Sequence, residues 1–378
     1  MTDLLFLAHR APTAPDRGDR IRSYHVLRHL AARARVHVVA FDEGYAPRPA
    51  LDLASWTVIP RTKTRVRAVA QALATGRPVS LTAFADPRLT AALAALPPVD
   101  ATYVFSGQMA QHVPAGATTI MDFVDLDSAK FSQQAEGAHG PIRWLLAREA
   151  KLLARFERDI ASRAGSTLFI SDAEAALFRS TGGQGHITAI GNGIDARHFD
   201  RADVVPVPSK RPLIVFTGQM DYQPNVDAVT WFADHVLPRL AADFAIVGRA
   251  PTAAVRALGR RENIVVTGEV PDTRPWLAAA SVCVAPLRLA RGVQNKVLEA
   301  MAMGCPVVAT PQAAEGIDHG GTIRVAEPRD FAAACAALLA EPGTLGVEAR
   351  ARVLSHYDWA VRLAPLDDLL GIVRPLAA

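Results

Sequence analysis

Short apolar runs alternate with longer helical patterns along this chain, stop at a proline-rich stretch and then begin again. That double alternation limits the possible folds more than any other feature, because strands separated by helices pair in parallel and need helices on both faces. Before the break, runs at 4–8, 36–41, 56–59, 101–105, 118–123, 167–170 and 187–190 read as buried strands, with helical patterns at 20–34, 87–95, 142–164 and 172–180. Residues 201–212, RADVVPVPSKRP, carry three prolines and no periodicity, as a linker does. Beyond them, strands at 213–217, 244–247, 264–267, 281–285, 307–309 and 322–325 alternate with helices at 226–240, 252–258, 276–280 and 329–339, and 357–373 reads as a final helix. The expectation is an α/β protein of two domains, 1–205 and 206–355, followed by a terminal helical segment, 356–378. Two such lobes make a cleft, and ligands sit at the carboxyl ends of the strands.

A length of 378 residues exceeds the size at which single cores stop growing, so two domains are also expected from size alone. Half the residues are hydrophobic and 21% are charged, which excludes a disordered chain. Cys283, Cys305 and Cys335 stand far apart in apolar settings, and read as reduced core residues and not as a disulfide framework or metal set. The start, MTDLLFLAHR, has an acid where a signal peptide is basic, and no run approaches the roughly 18 apolar residues of a membrane span. A cytoplasmic protein is expected. Residues 1–100 hold 14 Lys and Arg against 8 Asp and Glu, and Arg61, Lys63, Arg65 and Arg67 cluster at the start of a helical pattern. This segment suits either peripheral contact with an anionic membrane face or a solvated helix start. Aromatics at 6% and the lack of a recognition motif argue against nucleic acid.

The stretch 291–310, RGVQNKVLEAMAMGCPVVAT, joins a glycine loop, an acid-bearing helix and a buried strand. Gly292 lets a ligand approach the backbone, and a helix starting near Gln294 points unpaired N–H groups back at that loop. Lys296 and Glu299 share a helix face; the ammonium suits a diphosphate, and the carboxylate can accept from both hydroxyls of a ribose. An ordinary surface helix with an i, i+3 charge pair has the same spacing. Asn225 after Pro224 and Asp272 before Thr273 read as helix N-caps, and Trp144, Leu145, Leu153, Phe156 and Ile160 as a core stripe.

In order, FTGQMDYQPNVDAVTWF, IVGRAP, VVTGEVPDTRPWLAAASVCVAPL and GVQNKVLEAMAMGCPVVAT resemble the second lobe of a family-4, group-1 glycosyltransferase. IGNGIDARHF resembles the family's segment near the interlobe crossing. HRAPTAPDRGDRIRSYHVLRHLAARARVHVVAF and MDFVDLDSAKF resemble the first lobe of sugar transferases associated with bacterial exopolysaccharide gene clusters. The resemblance covers nearly the whole chain. It implies the GT-B fold, two Rossmann-like domains with the terminal helix returning to the first, and transfer, with retention, of a sugar from a nucleotide diphosphate donor to a saccharide or lipid-linked acceptor. It implies no cofactor and no obligatory metal. Carried over, Glu299 binds the ribose and Lys296 neutralises the diphosphate. Gly268 and Val270 meet the base, Gly18 meets the phosphates from the first lobe, and Gly292 and Val293 belong to the donor loop.

The chain also departs from the pattern. Arg291 stands where the first glutamate of the family motif belongs; it can pair with phosphate or an acidic sugar but cannot accept from hydroxyls. The usual basic pair after the first strand of the second lobe is absent, since Gln219, Met220 and Asp221 follow Gly218. Phosphate charge then falls to Lys296, Arg291, Arg249, Arg17 or Arg20. His9, Asp122, Asp125 and Asp127 are the candidates near the reacting sugar, with His9 and Asp125 taken as catalytic. Asp125 and Asp127 also spell a metal-binding Asp-x-Asp; acceptor orientation, capping of the next helix and receipt of the acceptor proton are the other readings. Two rivals stay open, a nucleotide-sugar epimerase or hydrolase of the same fold and a non-catalytic partner in polysaccharide assembly.

Overall fold

Thirteen strands among the described residues form two sheets in which every pairing is parallel. The computed structural model describes residues 2–13, 18–42, 44, 46–114, 118–290 and 292–371. The first sheet holds β1 (Asp3–Ala8), β2 (Arg35–Asp42), β3 (Ser55–Pro60), β4 (Ala101–Phe105), β5 (Thr118–Val124), β6 (Ser166–Phe169) and β7 (Ile187–Ala189), in the order β3-β2-β1-β4-β5-β6-β7. The second holds β8 (Leu213–Thr217), β9 (Asp243–Val247), β10 (Ile264–Gly268), β11 (Val282–Ala285), β12 (Val307–Ala309) and β13 (Arg324–Val325), in the order β10-β9-β8-β11-β12-β13. Central strands such as β4, β8 and β11 are buried along their whole length, while β13 at a sheet edge is exposed. Helices cover both faces of a parallel sheet, which is why the central strands read as unbroken apolar runs and not as alternating ones.

Two compact units result among the described residues, one running to Asn192 and including residues 362–371, the other being Gly193–Val361. The proline-rich residues 201–212 lie within the second unit and hold only a 3-10 turn, Arg201–Asp203. In the first unit the returning segment is anchored by Asp367, whose carboxylate lies 2.8 Å from His29 Nε2 and 3.0 Å from Arg33 Nε.

Two helical expectations are corrected. The final helix expected over 357–373 is instead a helix Leu345–His356 followed by the short helices Trp359–Leu363 and Pro365–Leu369. The break has a cause: Asp358 bridges to Ile194, with Ile194 N–H donating to Tyr357 O at 2.7 Å, so the chain there is extended. Trp144, expected in a core stripe, is 59% exposed, whereas Leu153 and Ile160 of the same helix, Gly140–Arg163, are buried.

That helix also organises its neighbours. Glu149 accepts from the N–H groups of Val79 and Ser80 at 2.7 Å each, closing the start of the helix Val79–Ala83. Two turns on, Glu157 accepts from Ser128 N–H at 3.0 Å and closes the start of the helix Asp127–Glu136. Both carboxylates satisfy orphan amides that their own helices leave open.

The helix Gly18–Ala31 is fixed by a buried ion pair. Arg22 Nε donates to Asp122 Oδ2 at 2.8 Å and its Nη1 donates to Ile190 O at 2.7 Å, while the Tyr103 hydroxyl donates to the same Asp122 oxygen at 2.5 Å. Arg22 is 2% exposed and Asp122 is fully buried. Removing one partner strands the other charge in a dry interior. Arg22→Met is therefore expected to lower stability by about 3–5 kcal/mol, read by denaturant unfolding of the first unit; an unchanged midpoint would show that the pair contributes nothing.

Candidate functional site

The strand order of the second sheet reverses between β8 and β11, so the segments leaving their carboxyl ends diverge and leave room for a ligand. Three glycines line that edge. Gly218 follows β8 and donates to Val247 O at 3.0 Å, and Gly248 follows β9 and donates to Gly268 O at 3.2 Å. A Cβ on Gly248, at φ +149°, would fall 1.7 Å from Gly218 O, so no other residue fits. A Cβ on Gly218 would come within 2.8 Å of Asn225 Nδ2 and 3.2 Å of Lys296 Nζ. Bare backbone at these positions lets a lysine reach the edge of the sheet.

Lys296 stands in the helix Asn295–Ala302, which buries Val297, Leu298, Ala300, Met301 and Ala302 and begins at Gln294 without a side-chain cap. Its first amides thus have no side-chain acceptor from the cap residue. Lys296 Nζ donates to Asn225 Oδ1 at 2.6 Å and lies 4.3 Å from the centre of the Phe216 ring, a cation–π contact. Asn225 Nδ2 donates to Gln219 O at 2.8 Å, which fixes the direction of its amide. Burial lowers the Lys296 pKa to about 8 and raises that of Glu299 to about 7, and each group's charge opposes the shift of the other. No ion pair joins the two, and the Glu299 carboxylate accepts no hydrogen bond from any described residue. The arrangement offers an ammonium to an anionic oxygen and a free carboxylate to hydroxyls, one helical turn apart.

The other expected donor residues are placed as follows. Gly268 ends β10 at φ +69° and reaches Gly218 through Gly248, and Val270 packs partly buried on the core of this unit. Exposed Arg249 donates to Gln219 Oε1 at 3.0 Å. Gly292, at φ +67°, and Val293 are exposed, and their backbone rests against Gly316. Arg291 and Arg17 lie outside the described residues. In the first unit, Gly18 opens the helix Gly18–Ala31 and Arg20 pairs with Asp42 at 3.2 Å.

His9 follows β1 and stacks on Phe105 with centroids 5.8 Å apart. Asp125 follows β5 and pairs with Lys130 at 2.6 Å, while Asp127 accepts from Gln108 at 2.9 Å and burial raises its pKa. Val124, just before Asp125, is held at φ 69°, as Ser106 after β4 is at 78°; such strain in non-glycine residues gathers at functional sites. Asp122 is withdrawn from any contact with a substrate by its pairing with Arg22 and Tyr103. Neither aspartate caps the helix Asp127–Glu136; Glu157 does so from another helix. No group of three or more His, Cys, Asp or Glu among the described residues is arranged to hold a metal ion.

One further departure concerns a single residue. Asn225 lies inside the helix Gln223–Trp231, 5% exposed, because its amide is taken by Lys296 and Gln219 and not by the helix start. Its role, like those of Phe216, Gly218 and Gly248, depends on contacts across the sheet that no local pattern encodes. Of the basic run, Lys63 donates to Gln71 and to the carbonyls of Thr82 and Ala85, and Arg61 lies over the Phe84 ring, leaving exposed Arg65 and Arg67. Beside Asn225 and Gln294 is a pocket of about 440 Å³ whose walls include Tyr222, Leu287, Arg288 and Gln312.

Residues 211–341 match the family model described as Glycosyl transferases group 1. No curated protein matches the chain. Among solved structures, WaaG, a glycosyltransferase involved in lipopolysaccharide biosynthesis, is similar with a TM-score of 0.66 at 16% identity, over 97% of this chain and 100% of that one. Anabaena HepE in complex with UDP is similar with a TM-score of 0.65 at 15% identity, over 98% and 100%. Sucrose-phosphate synthase from Thermosynechococcus elongatus gives 0.64 at 19%, over 98% of each chain. At these identities the likeness to the solved structures concerns the fold. Residues 211–341 thus match a group 1 glycosyl transferase model, and over the whole chain the likeness to the solved structures is one of fold, the two-domain α/β fold called GT-B.

Proposed function

We propose that the chain moves a sugar from a nucleotide diphosphate donor to a saccharide or lipid-linked acceptor, with retention at the anomeric carbon, in building an exopolysaccharide or other cell-surface glycan. The observation that carries this reading is that a half-buried Lys296 and a carboxylate free of hydrogen bonds, Glu299, share one helix face at the carboxyl edge of the second sheet. Anabaena HepE has been solved in complex with UDP-glucose, which supports a nucleotide-linked sugar as the donor here.

The bond from the anomeric carbon to the diphosphate oxygen breaks as the bond to the acceptor oxygen forms. Negative charge then grows on the diphosphate, where the Lys296 ammonium and the amides at the start of the helix Asn295–Ala302 stabilise it. Glu299 holds the ribose hydroxyls, Gly268 and Val270 the base, and Arg249, Gly292, Val293 and Arg291 complete the donor set. Asp125 receives the acceptor proton, and His9 borders the reacting sugar. This chemistry needs no cofactor. No single helix among the described residues is long and apolar enough to cross a membrane; the exposed Arg65 and Arg67 support peripheral contact with an anionic cytoplasmic face.

Titration of the wild-type protein with UDP-, GDP- and dTDP-linked sugars should find one that binds, and Glu299→Ala should weaken it about 10- to 100-fold, the loss of charge-assisted hydrogen bonds. Unchanged affinity in the variant would remove Glu299 from the site.

Affinity should also follow pH on both sides. Below about 7 Glu299 takes up a proton and loses acceptor capacity, and above about 8 Lys296 loses its charge, so binding of a nucleotide sugar peaks between those values. Lys296→Met should abolish the alkaline limb. A persistent decline above pH 8 in that variant would assign the limb to another group.

A further inference from the structure

The pocket beside the Lys296 helix is furnished for an anion and not for a ring that carries hydroxyls alone. Neutral sugars are held most firmly by carboxylates, which accept from two hydroxyls at once. None of the described residues lining this pocket is Asp or Glu. Its polar walls are the amides of Asn225, Gln294 and Gln312, the hydroxyl of Tyr222 and the guanidinium of Arg288. Acidic character begins only past Gln312, in a second pocket of about 440 Å³ that includes Glu315 and His319.

Arg288 sits in the segment between β11 and the Lys296 helix, exposed, and makes no hydrogen bond or ion pair with any described residue. Arg249, by contrast, is engaged with Gln219. The diphosphate has its own counter-charge, because Lys296 lies behind Asn225, a wall of the same pocket. A second, bidentate cation in the open part of the pocket therefore matches a second anionic group.

We propose that the donor sugar itself bears a carboxylate, as a uronic acid does, and that Arg288 reads it through a two-point pair. This rests on the donor-site reading above and names the class of sugar that site takes. Binding of the same-base pairs UDP-glucuronate with UDP-glucose, and GDP-mannuronate with GDP-mannose, to the wild-type protein and to Arg288→Gln tests it. In the wild type the uronate of one pair should bind about tenfold or more tightly than its neutral partner. Arg288→Gln should erase that preference and leave the affinity for the free nucleoside diphosphate within about threefold. Neutral and acidic partners binding the wild type equally would overturn the proposal and leave the donor site intact. So would a loss of free nucleoside diphosphate affinity in Arg288→Gln as large as the loss of uronate affinity, since Arg288 would then be a phosphate ligand. Failure of every nucleotide and nucleotide sugar to bind would overturn the donor-site reading first, and this inference with it.

Discussion

The contact of Lys296 with Asn225 at 2.6 Å ties together the functional part of the second unit. A lysine in the first turn of a helix would ordinarily extend into water. Here its ammonium lies over Phe216 at the end of β8 and its partner amide is locked by Gln219 O. That is possible because Gly218 has no side chain, and Gly248 in turn has none to push Gly218 away. The charge is therefore fixed by sheet, helix and two glycines together, and its pKa of about 8 follows from that confinement.

Confinement explains the balance between stability and chemistry. A half-buried ammonium and a half-buried carboxylate each lose part of their hydration, and without a close ion pair between them each stays partly shifted toward neutrality. Both shifts would be relieved by an anion beside the ammonium and hydroxyls beside the carboxylate. The first unit differs: the buried Arg22 and Asp122 bond to each other, with Tyr103 and Ile190 O as further partners. The half-buried groups of the second unit keep polar capacity, whereas the fully buried pair of the first fixes a helix.

Most of the architecture was legible in the sequence. Each expected strand is present within a residue or two, because fully buried parallel strands have to be short and continuously apolar. The helix bearing Lys296 and Glu299 was legible too, since spacing alone puts them on one face. What escaped was encoded elsewhere in the chain: Asn225 read as a cap because only its immediate neighbours were visible, and the pairing of Arg22 with Asp122 spans a separation of 100 residues. Trp144 misled because a helical apolar stripe says nothing about where burial ends. Tyr357 misled because the bridge between Ile194 and Asp358 outweighed local helix preference.

The helix Gly140–Arg163 carries Glu149 and Glu157, each closing the start of a different short helix. Because both anchors ride on one rigid rod, the intervening seven residues act as a ruler between two otherwise independent loops. Adding one residue to that interval would swing the two carboxylates about 100° out of phase, so chain length there is constrained even at positions whose side chains face water. Insertions in this unit belong instead in turns that no such gauge spans.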